Sequence, residues 1–586
     1  MSVSTGPGPT RPPAPDTAPA PDAAQGQAPP VPGRWLILVI VLSAVFMQLL
    51  DTTITIVAIP SIQADLGASF ADVQLVVAVY ALAFACMLIT GGRLGDIYGR
   101  KRMFLIGMLG FTCASVMCGA ATSADFLVLS RVLQGLFSGL MFPQVLSIIQ
   151  VTFFGREKPK ALAFYGASIG LATVLGPVLG GWLIELDIAG SDWRSIFYVN
   201  VPIGLLALGL GAARLRESSA ETRTRLDVTG ALIVTAGLFL LILPLVVGRE
   251  HDWPAWSLAM LAAGPFVLAW FAWVERRRTA DPDASPLVPV TLFKERSFTV
   301  GLLISLVFFT GIPSFFMTLF ITLQIGFAYS AVSAGAVTLA FALLIAIGSA
   351  RSNVVVRKLG TWTLALGTAL LVTGMGGVIL TLHWAGTDLR GWYLVPALMV
   401  GGAGTGLVVA PITGIILEGI RSGDAGSASG VIATTQQVGI AVGIAVIGIL
   451  FANLIAGNAG DSLATVEPRL RQDLAAAGLP PERSEQVVAG FETCFEDRTN
   501  QKDLTAVPPS CERVEREAEQ LPLPPEVTEQ VRTAVLVEAA PEARKENFSR
   551  SFQGALGWQL GVFTLCFLLV LALPKVKPAR ITPGGA

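Results

Sequence analysis

The sequence predicts an all-α protein that crosses a membrane fourteen times. Of its 586 residues, 53% are hydrophobic and only 14% are charged, whereas soluble domains carry about 25% charged residues. Apolar stretches recur along the chain, and a helix of about 20 apolar residues is long enough to cross the hydrocarbon core. Lipid offers no partner to unpaired backbone groups, so each of these stretches is predicted to be helical.

The predicted spans are bounded by the ends of the apolar runs. A Pro-rich segment, residues 1–34, precedes them and is predicted to be a disordered tail, since it has too little apolar surface to build a core. Residues 575–586 form a second tail. Spans 4 and 9 are long enough to contain a kink. The fourteen spans are 35–59, 73–92, 103–122, 126–152, 161–184, 195–213, 228–248, 255–274, 298–325, 331–350, 362–384, 392–417, 428–454 and 555–574.

Basic residues predict the orientation of the spans. With the N-terminus inside the cell, most of the 40 Lys and Arg residues fall on the cytoplasmic side, as the positive-inside rule requires. The short outer loops then hold only Arg194, Arg249 and Arg390. An even number of spans returns the C-terminus to the cytoplasm. The protein is therefore expected in a bacterial cytoplasmic membrane with both termini inside.

The composition argues against several functions. A net charge of −1 and the lack of a dense basic stripe argue against nucleic-acid binding. Two His and six scattered Cys leave little material for a metal site, and no metal or cofactor is expected. The sequence contains no Walker-type phosphate loop, so ATP hydrolysis is not expected either. Any energy-requiring function must therefore be driven by a source other than ATP hydrolysis on this chain.

A polar stretch, 455–554, separates spans 13 and 14 and is predicted to lie outside the cell. Amphipathic patterns at 466–477, 512–520 and 526–539 indicate two or three helices, so a compact hairpin or cap is favoured over a poorly ordered acidic loop. Cys494 and Cys511 are the two cysteines outside the spans. Because the exterior is oxidising, they are predicted to form a disulfide.

Span 2 runs into the string GGRLGDIYGRKR (91–102). Asp96 and Arg100 are four residues apart, so they share a helix face and can pair. Basic residues that merely hold the loop inside would explain neither the Asp nor the glycines. The string resembles the cytoplasmic loop signature of the major facilitator superfamily, with Ile97 in place of a basic residue. We expect Asp96, with Arg100, to dock on the N-terminus of span 13 near Ser427 and close the inner side.

Five further strings carry the resemblance to the fourteen-span drug:proton antiporters of the EmrB/QacA type. Two features depart from that family: Ile56 replaces an Asn, and the second-half echo of the loop signature has Asn353 in place of an Asp. The five strings are LDTTITIVAIP (50–60), RVLQGLFSGLMFP (131–143), GASIGLATVLGPVLGG (166–181), DWRSIFYVNVPIG (192–204) and GSASGVIATTQQVG (426–439).

The resemblance implies the major facilitator fold, with two six-helix bundles, 35–213 and 298–574, and two extra spans within 214–297. It also implies proton-coupled export of small amphipathic molecules, driven by the proton gradient and by rocking of the bundles around a midplane site. The expected partners are a small-molecule substrate, protons and the lipid bilayer, with no obligate protein partner. The alternatives are an importer, a lipid-handling transporter, or, remotely, a receptor or anchored enzyme that uses the outer loop.

Asp51 and Arg131 are the candidate proton-coupling residues, because an ionisable residue inside a span is expensive and usually functional. At 1.5 Å per residue, Asp51 lies ~12 Å from the outer end of span 1 and Arg131 ~10 Å from that of span 4. The two charges therefore reach matching depths and are expected to meet. A permanent ion pair that only ties spans 1 and 4 together is the alternative.

Span 5 and a set of uncharged residues supply weaker candidates. Two small-xxx-small pairs, Gly166 with Gly170 and Gly176 with Gly180, are expected to form, with Pro177 and Gly181, a close, bent contact between the bundles that acts as a gate. Ordinary helix packing is the alternative. Polar or aromatic residues could line a substrate cavity or simply pack against neighbouring helices. These are Gln134, Gln144, Asn200, Phe316, Gln436 and Gln437.

Overall fold

The computed structural model describes residues 32–573, with gaps. Residues 69, 156, 220–225, 249–252, 281–285, 418–419, 421–423, 502–506 and 521–523 are not described. Both predicted tails lie almost entirely outside the described residues. The described ranges consist of helices joined by turns, and no strand occurs among them.

Fourteen helical segments correspond to the fourteen predicted spans. Thirteen of them are long and apolar enough to cross a membrane in the described chain, and α6, with 29 residues, matches the predicted fifth span. The sixth span begins with short turns at Asp192 before α7 and α8. The segments are α1 (Arg34–Val57), α3 (Phe70–Tyr98), α4 (Arg100–Gly119), α5 (Ala124–Thr152), α6 (Lys158–Leu186), α7 (Ser195–Tyr198) with α8 (Asn200–Arg214), α9 (Val228–Val247), α10 (Ala255–Thr279), α11 (Arg296–Ile321), α12 (Ala331–Leu359), α13 (Trp362–Ala385), α14 (Val395–Ile416), α15 (Ala425–Gly457) and α20 (Ala540–Leu571).

The spans form two halves that meet along two pairs of helices. In the first half α3 and α4 pack on α5, while α1 packs on α6 and α8. In the second half α12 and α13 pack on α14, while α11 packs on α15 and α20. The halves meet where α3 contacts α15 and where α6 contacts α12. The two extra spans, α9 and α10, pack on each other, and α9 also touches α3 and α15.

The molecule has two distinct ends. We call the end that carries Arg100, Lys158 and the N-terminus of α15 the basic face, and the end that carries residues 459–539 the cap face. On the basic face, Gly99 joins α3 to α4 with φ of 104°. L side chains are strained in this region of φ, so a glycine is required for the sharp turn.

Residues 459–539, which we call the cap, form a compact helical unit on the cap face. It contains α16 (Ala459–Ala476), α17 (Pro481–Thr499), α18 (Pro509–Gln520), α19 (Pro525–Arg532) and a π-helical turn (Thr533–Ala539). Leucine, valine and phenylalanine side chains of α16, α17 and the π-helical turn pack into a core of their own. A disulfide joins Cys494 of α17 to Cys511 of α18.

The structure corrects the predicted limits of this region. Helix α17 was not predicted, α15 extends to Gly457, and the last span begins at Ala540 rather than at 555. Span 1 ends at Val57, and a separate helix, α2 (Ile59–Leu66), follows it. Hydropathy identifies only the apolar part of a helix. It therefore does not detect the polar N-terminal part of α20, which packs on the cap.

The disulfide is predicted to stabilise the cap. Replacing both Cys494 and Cys511 with Ser should destabilise the cap by roughly 3 kcal/mol, the value that the chain-entropy model gives for a loop of this length. Limited proteolysis of the purified protein should then cut the cap faster than in the wild type. Cys113→Ser, which removes an exposed free thiol, is the control and should leave the rate unchanged. Alkylation of both Cys494 and Cys511 in unreduced protein would contradict the assignment.

Candidate coupling network and gate

Asp51 of α1 lies at the centre of a buried polar network in the first half. Its side chain is fully buried, and its carboxylate oxygens accept hydrogen bonds from three neighbours. Arg131 Nη1 donates to Oδ2 at 2.5 Å, and Gln134 Nε2 donates to Oδ1 at 2.9 Å. Asn200 Nδ2 of α8 donates to the same Oδ1 at 3.3 Å. We call Asp51, Arg131, Gln134 and Asn200 the coupling network.

Arg131 has hydrogen-bond and aromatic partners on several helices. Its Nη1 also donates to Gln134 Oε1 at 2.7 Å, and its Nε donates to the carbonyl of Val76 in α3 at 3.3 Å. Its guanidinium lies 4.1 Å from the ring centroid of Tyr80, within the range of a cation–π interaction. One charged site is therefore built from four helices, α1, α3, α5 and α8. A change in the charge of Asp51 would alter the electrostatic interactions of each of them.

The hydrogen bonding of the network would change if Asp51 took up a proton. A carboxylate accepts hydrogen bonds through both oxygens, whereas a protonated carboxyl group must donate one. Protonating Asp51 would remove the negative charge opposite Arg131 and weaken the tie between α1 and α5. Breaking a buried ion pair by removing one charge is worth about 3–5 kcal/mol, which is enough to shift a conformational equilibrium.

The predicted cavity residues divide into four groups. Gln134 and Asn200 belong to the coupling network. Gln144 Nε2 donates to the carbonyls of Gly91 and Leu140 at 2.8 and 3.0 Å, so it holds α5 against α3. Phe316 packs edge-on against Phe341 within the core of the second half. Gln436 and Gln437 lie on α15, the first buried and the second half-buried.

Asp96 makes a direct polar connection between the halves on the basic face. Its Oδ1 accepts from Arg100 Nη2 at 2.8 Å. Its two carboxylate oxygens also accept from the backbone N–H groups of Gly426 and Ser427 at 3.2 and 3.1 Å. These N–H groups form the N-terminus of α15, where the helix dipole favours a negative charge. We call this arrangement the gate contact.

Glycine permits this close approach of α3 and α15. A Cβ atom at Gly92 would lie 2.3 Å from the carbonyl oxygen of Gly426, and one at Gly426 would lie equally close to that of Gly92. A side chain at either position would therefore force the helices apart. The glycines of the loop string thus bring the two halves together as well as forming a turn.

Further contacts of the basic face were not predicted. Ser147 Oγ donates to Ser429 Oγ at 3.3 Å, and Gln150 Nε2 donates to the carbonyl of Leu417 at 3.5 Å. Ser427 Oγ donates to the carbonyl of Leu287, in the segment that follows the extra spans. Single serines in apolar helices carry no sequence signal that separates a gate from ordinary packing. In this conformation the basic face is closed.

The glycines of α6 pack differently from the prediction. A Cβ atom at Gly176 would lie 1.8 Å from Thr53 Oγ1, and one at Gly180 would lie 2.7 Å from Ile54 Cγ1. These glycines therefore contact α1 of their own half, so the predicted contact between the bundles is wrong for this pair. Gly166 and Gly170 instead face α12 and α14 of the other half. Gly181 is half-buried, and the side chain of Pro177 lies outside the described residues.

The Trp-Arg string after α6 clamps α2 on the cap face. Trp193 Nε1 donates to Asp65 Oδ2 at 3.1 Å, and Arg194 Nη1 lies 2.7 Å from the same oxygen. These hydrogen bonds from Trp193 and Arg194 lower the pKa of the Asp65 carboxyl below its ordinary value. The indole of Trp193 is fully buried, so the string anchors the first half at the cap face.

Two helical halves that meet along paired helices, with a buried ion pair within one of them, form an arrangement typical of membrane transporters. The chain belongs to the Major Facilitator Superfamily, whose sequence model matches residues 41–230 and 211–444. It is 37% identical to the probable actinorhodin transporter of Streptomyces coelicolor over 94% of this chain and 93% of that protein.

Two other relatives are named for antibiotics. The tetracenomycin C resistance and export protein of Streptomyces glaucescens is 32% identical over 76% of this chain and 81% of its own length. The puromycin resistance protein of Streptomyces alboniger is 36% identical over 72% of this chain and 82% of its own length. The similarity therefore covers most of the chain and is not confined to one motif.

Removing the charge of Asp96 should open the basic face. In Asp96→Asn the charge-assisted hydrogen bonds to Arg100 and to the N-terminus of α15 are lost, which corresponds to about a tenfold or larger shift toward the open state. A cysteine placed at the buried Ser429, in a Cys113→Ser background, should react correspondingly faster with a hydrophilic maleimide. Asp125→Asn, at an exposed acidic residue of α5, is the control. Equal labelling rates in Asp96→Asn and the control would refute the gate contact.

A larger side chain at Gly176 should displace α1 from α6. In Gly176→Leu the new side chain overlaps Thr53, two residues beyond Asp51, and overpacking of this kind costs about 1–3 kcal/mol. The purified protein should unfold at a lower temperature than the wild type. The control is Gly209→Leu in α8, where a Cβ atom would meet nothing within 4 Å. A Gly176→Leu protein as stable as Gly209→Leu would contradict the packing described here.

Proposed function

We propose that this protein is a proton-coupled antiporter that exports small amphipathic molecules across a bacterial cytoplasmic membrane. The observation that carries the proposal is the buried ion pair of Asp51 and Arg131, since a carboxylate at this depth has no packing value that an apolar residue would not supply better. The names of the three relatives, which refer to transport of or resistance to antibiotics, support export as the direction.

The proposed orientation follows from the charges. Lys and Arg concentrate in the loops of the basic face, and the positive-inside rule then supports a cytoplasmic position for that face. The cap and its disulfide then lie outside, where oxidising conditions preserve the bond. The described conformation, with its basic face closed by the gate contact, is then closed toward the cytoplasm.

The proposed cycle joins the coupling network to the gate contact. Asp51 lies six residues from the end of α1, or ~9 Å below the cap face, so protons arrive from outside. Protonation releases Arg131 and loosens α1 from α5. The first half then moves relative to the second, Asp96 leaves the N-terminus of α15, and the basic face opens to the cytoplasm. Substrate enters as Asp51 loses its proton inward, and the restored ion pair favours return to the closed basic face.

In the same scheme, the charge state of Asp51 sets which conformation is favoured. The ionised Asp51 is compensated by Arg131, while the protonated form leaves Arg131 to other partners such as Gln134 Oε1, which already accepts from it. Each charge state of Asp51 therefore favours one conformation, and a ligand can shift an equilibrium only through such a difference in affinity. The proton gradient thereby drives the substrate outward.

Replacing Asp51 with Asn should abolish uphill transport but preserve exchange. The amide keeps the size of the side chain and removes its titration, so the two conformations remain accessible without coupling to protons. Proteoliposomes with an imposed pH gradient should accumulate ethidium or puromycin through the wild type and show little or no gradient-driven accumulation through Asp51→Asn. Counterflow of the same probe should persist.

Asp187→Asn is the matched control for this experiment. Asp187 is an exposed carboxylate beyond α6 with φ of 39°, a conformation that Asn tolerates well. It should transport like the wild type. Full concentrative transport by Asp51→Asn would rule out Asp51 as the coupling group, whereas loss of counterflow as well would assign it to substrate movement rather than to proton coupling.

A further inference from the structure

A cavity of about 250 Å³ lies where the cap meets the outer ends of the second half. Its floor is formed by Ile455 and Phe548, which belong to α15 and α20, and its wall by Phe491 and Phe495 of α17. The Cys494–Cys511 disulfide also lines it. Aromatic and aliphatic walls of this kind are typical of small-molecule sites, and the cavity lies at the opposite end of the molecule from the gate contact.

Two arginines break the apolar character of this cavity. Arg544 of α20 is half-buried in its wall, and Arg498 of α17 is exposed at its edge. The positive charges of the two side chains repel each other. Neither guanidinium forms an ion pair with an acidic residue in the described part of the chain, and the described lining contains no Asp or Glu. The cavity therefore presents uncompensated positive charge to an apolar space.

The inner arginine also has an unsatisfied donor. Nε of Arg544 is buried and has no hydrogen-bond partner among the described residues. A buried donor without an acceptor destabilises a structure by about 1–3 kcal/mol. By contrast, Arg471 of the cap pairs with Glu467 and Glu485, and Arg550 of α20 pairs with Glu546. The described lining of the cavity thus includes a buried arginine donor that lacks an acceptor.

We propose that this cap cavity is a second binding site, distinct from the transport path, for small aromatic carboxylates. The guanidinium fork of Arg544 matches a carboxylate in two parallel hydrogen bonds, and Arg498 adds charge at the entrance. The phenylalanine rings accept the flat apolar part of the ligand. The location of this site on the outside of the cell rests on the proposed orientation. Binding at the site does not depend on transport.

The cavity selects this ligand class over two others. A neutral aromatic compound would fill the apolar space but leave Nε of Arg544 without an acceptor. A small inorganic anion would pair with the arginines but leave the phenylalanine walls uncovered. Only a ligand with both parts satisfies both features, and the limited volume restricts it to about one or two rings.

Titration of the purified full-length protein with a matched pair of probes tests the proposal. 1-Naphthoate and 1-naphthamide have the same shape and differ in charge. We expect the wild type to bind 1-naphthoate at least about tenfold more tightly than 1-naphthamide, as a charge-assisted bidentate contact predicts. Arg544→Gln should reduce the affinity for 1-naphthoate to that for 1-naphthamide, and Arg498→Gln should reduce it by a smaller factor.

Three further variants locate the site. Val514→Trp, which fills the cavity from α18, should abolish binding of both probes. Arg532→Gln changes an exposed arginine of the cap that does not line the cavity, and it should bind like the wild type. Asp51→Asn should also bind normally, because its defect concerns proton coupling. Failure of the proposed transport cycle would therefore leave this result intact.

Several outcomes would overturn the proposal. Equal affinity of the wild type for both probes would make the cavity a purely apolar one, and undetectable binding of 1-naphthoate would exclude the site. Binding that survives both Arg544→Gln and Val514→Trp would place the probe elsewhere on the protein. Should Arg544→Gln fail to fold, the ratio of the two affinities in the wild type and the effect of Val514→Trp still decide between these outcomes.

Discussion

The ion pair of Asp51 and Arg131 is the interaction on which the arrangement of the first half depends. In a medium of low dielectric neither charge is tolerable alone, so α1 and α5 must bring them to the same depth. The amides of Gln134 and Asn200 satisfy the carboxylate further, and this draws α8 into the same site. Gly176 and Gly180 let α6 approach α1 just beyond Asp51. The packing of the half is thus organised around one charge that a proton can cancel.

The gate contact is built on a similar principle with a different partner. Asp96 is also buried, but part of its compensation comes from the backbone of the other half, at the N-terminus of α15. A negative charge that depends on two halves for its hydrogen bonds is stable only when they are together. The coupling network holds helices within one half, whereas the gate contact holds the halves to each other, and the proposed transport cycle needs both.

Much of this could be predicted from the sequence, and the limits have physical reasons. The meeting of Asp51 with Arg131 follows from the fixed rise of a helix, and the docking of Asp96 from the sign of the helix dipole. Gln134 and Asn200 were assigned to a cavity because an amide offers both donor and acceptor and fits either setting. The spacing of the α6 glycines predicted close packing but could not name the partner helix. Helix α17 was not predicted because much of its surface is polar. Its apolar side chains form a core only together with those of α16 and the π-helical turn.

Helix α15 gives the molecule a mechanical property. It runs unbroken through 33 residues, about 50 Å at the usual helical rise, from the gate contact at one end to the foot of α16 at the other. Together with α20, which follows directly on the π-helical turn of the cap, it makes a stiff connection between the cap and the end of the molecule that carries the gate contact. A molecule that binds the cap and restrains it, such as an antibody fragment, would therefore hinder the opening of the gate contact on the opposite side of the membrane.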